Sequence, residues 1–120
     1  MAVSSQFCEF IAEQLAGFEG VDMRAMFGGV GLFRDGLMFA IVTGEEQLYF
    51  KVDDENRGDF ETEGMTPFTY RGKKRPVTMS YWQAPERLYD DAEELTGWAR
   101  KAFAAALRAD AGKRLEPSRK

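Results

Sequence analysis

The sequence predicts an α+β fold of two layers, an antiparallel sheet with helices on one face, in the order α-β-β-β-β-α-β-β-α. Apolar residues recur at helical spacing near the two ends and once in the middle. Between those stretches the period drops to two, as it does in strands. The strands are also grouped rather than alternating singly with helices, which favours hairpins over parallel βαβ units.

Phe7, Phe10, Ile11, Leu15 and Phe18 lie on one helical stripe behind Ser4 and Ser5, residue types that cap helices. They predict a first helix over Ser4–Ala16, with Gly17 and Gly20 as stop signals. Cys8 falls near the apolar side and reads as a small packed hydrophobe, because no basic neighbour lowers its thiol pKa. Val21, Met23 and Ala25 then alternate with Asp22 and Arg24 in a first strand. After Phe27-Gly28-Gly29 a second strand runs over Val30–Arg34. Asp35-Gly36 is a strong two-residue hairpin signal. Leu37–Thr43 is apolar on both faces and predicts a central, well-covered strand. Gly44-Glu45-Glu46 forms a turn, and Gln47–Lys51 gives a fourth strand with Leu48 and Phe50 on one face.

A short helix is expected to start at Asp53 or Asp54, where carboxylates suit a helix N-terminus, and to stop at Gly64. Phe60 is its apolar anchor and Gly58 its weak point. Pro67–Tyr70 and Val77–Trp82 read as a second hairpin around Arg71-Gly72-Lys73-Lys74-Arg75. Arg24 to Trp82 then reads as a continuous up-and-down sheet. Pro85 opens a helical turn, and Asp91 with Glu94 resembles a capping box. Leu95, Trp98, Ala99, Ala102, Phe103 and Ala106 form the stripe of a last helix ending near Ala109. Residues 1–110 are expected to be one domain and 111–120 a flexible basic tail.

The composition narrows the chemistry. The chain has 120 residues, ten of them Phe, and 44% are apolar, enough for a real core. The net charge of −4 disfavours direct nucleic-acid binding, since phosphate neutralisation dominates that affinity. With no histidine and a single cysteine, the chain has no His/Cys zinc site, no Ser–His–Asp arrangement and no internal disulfide. No metal, cofactor or catalytic residue is expected. The N-terminus lacks a basic stretch followed by an apolar run, and no segment is long and apolar enough for a bilayer, so a cytoplasmic protein without membrane contact is expected.

Four features compete as sites. Gly28-Gly29-Val30-Gly31 invites a phosphate-loop reading, but it leads into a strand rather than a helix N-terminus, which favours a tight strand connection. Arg71, Lys73, Lys74 and Arg75, flanked by Phe68, Tyr70, Tyr81 and Trp82, offer a nucleic-acid alternative, weighed against simple solvation of a hairpin tip. Arg24 projects from an otherwise apolar strand toward a carboxylate or an anionic ligand. Tyr81 and Trp82 must face opposite sides of the sheet, one in the core and the other a candidate contact surface. Arg24, Phe27, Gly28, Gly29, Lys51, Tyr81 and Trp82 are therefore the candidate binding residues. Arg24, Lys51 and Tyr81 near the glycine turn stand for a small-ligand or enzymatic alternative. The acidic runs Asp53–Glu63 and Asp90–Glu94 lie at expected helix starts, where capping explains them.

The run from Arg24 to Phe33, with Gly36-Leu37-Met38-Phe39-Ala40, resembles the N-terminal domain of TfoX-type competence regulators. Leu48-Tyr49-Phe50-Lys51-Val52-Asp53, Gly64, Pro67-Phe68-Thr69-Tyr70, Met79-Ser80-Tyr81-Trp82, Pro85 and Trp98-Ala99-Arg100 continue it in order, from about Phe7 to Leu107. The resemblance implies a compact α+β domain, found alone or fused to a smaller second one, whose longer relatives promote DNA-uptake genes as regulators. It carries over no catalytic residue. The expected form here is the domain without that second domain. The expected role is a non-enzymatic regulatory module acting through an unidentified protein partner, with a homodimer among its assemblies.

Overall fold

The computed structural model describes residues 5–26, 28–71 and 76–115, with side chains over 5–26, 28–69 and 79–112. The elements are α1 (Ser5–Gln14), β1 (Val21–Met26), β2 (Gly29–Arg34), β3 (Leu37–Val42), β4 (Leu48–Lys51), α2 (Arg57–Thr62), β5 (Pro67–Arg71), β6 (Pro76–Gln83), a 3-10 turn (Glu86–Asp90) and α3 (Ala92–Leu115). The fold is α+β in the expected element order. None of the described helices is long and apolar enough to cross a membrane.

The six strands form one antiparallel sheet in the order β1-β2-β3-β4-β6-β5. The first four are the expected meander. The continuous up-and-down sheet is corrected: β6, not β5, pairs with β4, and β5 is left at the edge. The physical reason is the helical connection. α2 carries the chain away from β4, and β5 returns one strand position further out, leaving the gap that β6 fills through its hairpin with β5.

Local signals explain most boundaries. Asp35 and Gly36 both take positive φ, 52° and 81°, the pair of left-handed residues that a tight hairpin turn needs. Gly64 closes α2 with φ +76°. Its N–H bonds to Glu61 O, and Met65 N–H bonds to Phe60 O, the paired bonds of a left-handed helix stop. The expected start of α2 at Asp53 or Asp54 is corrected to Arg57. Asn56, buried, accepts from Asp53 N–H and donates to Lys51 O, so residues 53–56 form a side-chain-closed turn instead of a first helical turn. Asp91 caps α3 by accepting from Glu94 N–H, but the other half of the box is not made, because the Glu94 carboxylate binds Arg87. The last helix extends past Ala109 to Leu115, since Ala111 and Lys113 are good helix formers and nothing stops it earlier.

All helices lie on one face. Leu32, Phe39, Ala40, Val42, Leu48 and Phe50 of the sheet meet Ile11, Leu15, Phe60, Leu88, Leu95, Ala99 and Ala102 there. Phe18, Phe39 and Phe103 pack edge to face in a triangle with centroids 5.5, 6.0 and 6.2 Å apart, and Arg34 stacks its guanidinium 4.4 Å from the Phe18 ring. Among the described residues the opposite face carries no helix.

Candidate functional site on the open face of the sheet

Alternation dictates what the helix-free face displays. Where Leu32 and Val42 point to the core, Gly31, Phe33 and Ile41 must point away. The irregularity at Leu32/Phe33 lets Phe39 and Ala40 both bury toward the helices, while Met38 turns to the open side. The result is a groove of about 680 Å³ lined by Met26, Met38, Ile41, Phe68 and Met79, with Gly28 and Gly29 at one end and Thr43 and Glu45 at its rim. The volume lies within the range of small-ligand and side-chain pockets.

Glycine shapes the floor. A methyl placed on Gly31 would lie 2.8 Å from Met26 Sδ and 2.9 Å from both Met38 Sδ and the Phe33 ring. The missing side chain is what lets the two thioethers meet over β2. Three methionines give a soft, re-packable lining of the kind that accepts varied apolar groups. The Thr43 hydroxyl oxygen is buried without a hydrogen-bond partner among the described residues.

The sequence-derived candidates distribute unevenly around it. Gly28 (φ +77°) lies in the β1–β2 connection and Gly29 opens β2, so the cluster leads into a strand, as the strand-connection reading expects. A Cβ on Gly29 would lie 2.7 Å from Val42 O, so this glycine permits close strand approach. Phe27 lies outside the described residues. Tyr81 is on the open face and 6% exposed, its hydroxyl donating to Met38 O at 3.2 Å. Trp82 is on the helix side, half-buried against Phe60. The two do take opposite faces, and the one on the open face is the more deeply buried. Lys51 is beside Tyr81, its ammonium 5.4 Å from the ring centroid and 2.8 Å from Ser80 Oγ.

Arg24 does not join them. It lies over Phe33 at 4.8 Å and pairs with Asp22 at 3.5 Å on the same strand, so the expected carboxylate partner is an exposed neighbour. Three strand spacings separate β1 from β4, roughly 14 Å, and the Arg24–Lys51–Tyr81 cluster is therefore not assembled. Lys73, Lys74 and Arg75 lie outside the described residues, as does the Arg71 side chain, so the nucleic-acid alternative rests on residues that carry no structural account.

Among the described residues, the carboxylates with shifted pKa values move away from general-acid behaviour. Asp53, Glu63 and Glu94 are all held below the ordinary carboxylate range, Asp53 by the Arg108 guanidinium and the other two by Arg87. A general acid needs the opposite shift. Burial pushes the Cys8 thiol up, away from reactivity. Among the described residues no group of three or more His, Cys, Asp or Glu side chains could hold a metal ion.

The groove residues Met26, Met38, Ile41, Thr43, Glu45 and Met79 were not singled out from sequence. Alternation alone signals Ile41, which falls on the face opposite Ala40 and Val42, whereas Met38 reaches the open face only through the irregularity at Leu32/Phe33.

The family model described as TfoX N-terminal domain matches residues 13–106, a span that includes all six strands and the whole groove. The chain belongs to the TfoX N-terminal domain family. Among known TfoX-type proteins it is similar to DNA transformation protein TfoX1 of Aliivibrio fischeri, 38% identical over 63 residues. That stretch is 52% of this chain and covers 30% of the relative's length. The family match thus takes in the sheet, α2 and most of α3, and excludes most of α1.

Proposed function

We propose that this TfoX-type domain is a non-enzymatic, cytoplasmic regulatory module that acts through protein contacts in the control of DNA uptake, working as a homodimer. The observation that carries the reading is the open-face groove. It is apolar, methionine-lined and lacks any described pair of base and nucleophile, so it suits the capture of apolar side chains rather than bond-making chemistry. The relative's name, a DNA transformation protein, supplies the process. Glu45 at the rim and a net charge of −4 favour a partner segment with a basic residue beside its apolar anchors.

Deleting the gene in its own host and counting transformants tests this. Loss of transformation, restored by the wild-type gene but not by Ile41→Glu, is expected. Unchanged transformation on deletion removes the link to DNA uptake. Full restoration by a stably folded Ile41→Glu removes the groove from the account.

One observation favours a second reading. The groove's volume of about 680 Å³ and its apolar lining suit a small, largely apolar ligand as well as a side chain. A thermal-shift screen against metabolites decides between them, since a native-state ligand raises the melting temperature.

A further inference from the structure

β1 is one edge of the sheet, and the described residues provide no backbone hydrogen bond to 21–26 beyond its ladder with β2. An open edge is a template for a further strand. The other edge, β5, opens on Pro67, which has no N–H to offer. Along β1 the open-face positions are Asp22, Arg24 and Met26, and the helix-side positions are Val21, Met23 and Ala25. Asp22 and Arg24 are exposed, with side chains 69% and 60% accessible, and so is Ala25.

Charges on an edge strand ordinarily deter pairing. Here they are of opposite sign and two residues apart, which makes the strand complementary to itself. In a two-fold antiparallel pairing, opposed residues must share a face, so a register is centred on one residue. Centred on Met23, the pairing sets Asp22 against the second copy's Arg24 and Arg24 against its Asp22, with Val21 against Ala25 on the other face. Centred on Asp22 or on Arg24, it sets like charges directly opposite one another, which is destabilising. One register satisfies both the faces and the charges.

We infer that β1 is a self-association edge: two copies of this chain join their sheets through antiparallel β1–β1 pairing centred on Met23, with two reciprocal Asp22–Arg24 pairs on the open face. The inference rests on the homodimer in the proposed function and assigns its surface. The four charges then alternate in sign around the two-fold axis, and the exposed Ala25 is covered by Val21 of the second copy.

The test combines charge exchange with register-specific trapping. By sedimentation velocity over a concentration series, the wild-type chain dimerises. Asp22→Arg and Arg24→Asp each weaken the dimer on the order of tenfold, and the double exchange restores it. In a Cys8→Ser background, mild oxidation links Met23→Cys into a disulfide dimer, because paired Cα atoms lie about 4.5–5.5 Å apart, within disulfide reach. Ala25→Cys does not link, its two copies being roughly 13 Å apart in this register. A dimer that survives both single exchanges, or that Ala25→Cys traps as well as Met23→Cys, overturns the edge assignment and leaves the homodimer standing on another surface. A wild-type chain that remains monomeric, with no Met23→Cys linkage, overturns both. Circular dichroism of each variant separates lost pairing from lost folding.

Discussion

Tyr81 on β6 reaches past β4 to give its hydroxyl hydrogen bond to the backbone carbonyl of Met38 on β3, 3.2 Å away. The bond spans the open face at the place where β3 and β4 cease to pair, beyond Ala40 and Phe50. It ties the strand that presents Met38 to the hairpin that presents Met79 and Phe68. One side chain therefore braces two walls of the groove.

That bond makes stability sensitive to alkaline pH. Burial pushes the Tyr81 hydroxyl up to about 12 from an ordinary value of 10.0. The unfolded chain then loses this proton first as pH rises, so the stabilisation is complete below about pH 10 and is lost as pH passes through 12. Two pKa units correspond to roughly 2–3 kcal/mol. Urea unfolding of the wild type is expected to weaken across that window. Tyr81→Phe should flatten part of the decline, and at neutral pH should cost about 0.5–1.5 kcal/mol for the lost hydrogen bond. An unchanged alkaline profile in Tyr81→Phe would show that this hydroxyl is not the sensitive group.

The two glycines of β2 are expected to differ sharply. A Cβ on Gly29 meets the fixed carbonyl oxygen of Val42, whereas one on Gly31 meets the ends of flexible methionines and an aromatic edge. Gly29→Ala should destabilise by about 1–3 kcal/mol through forced strand separation. Gly31→Ala should change stability by less than about 1 kcal/mol, because the lower entropy of the unfolded chain offsets the shift of the thioethers. Chemical denaturation of both variants checks the order, and a larger loss in Gly31→Ala contradicts it.

Asn56 is a buried polar residue whose role is local. Replacing it with Ala strips partners from Asp53 N–H and Lys51 O, with an expected loss of about 1–3 kcal/mol. Equal stability of wild type and Asn56→Ala, by the same measurement, would mean that water satisfies both groups at no net cost.

How far the sequence announced this molecule differs from element to element. Asp35-Gly36 and Gly64 could be read directly, because left-handed φ is a local demand that few residues meet. The stripe Ile11, Leu15 and Phe18 could be read too, since helix periodicity and burial coincide. The place of β6 beside β4 could not, because strand order across a helical connection depends on where α2 packs. The groove escaped for a related reason. Met26, Met38 and Met79 lie on three separate strands, and only the sheet register and the missing side chain at Gly31 bring them together on the helix-free side. Arg24 drew notice as a charge among apolar neighbours, yet its place on an edge strand cannot be recognised until β1 is known to be outermost.

The central claim, that the partner sits on the helix-free face, is tested most directly by paired photo-crosslinking in the host. A photoreactive residue at position 41 reports on the groove, and one at position 107 reports on the exposed surface of α3, where Leu107 is 48% accessible. The account predicts a single adduct of reproducible mass from position 41, abolished by Met38→Glu, and none from position 107. An adduct from position 107 that Met38→Glu leaves intact, with nothing from position 41, would contradict it.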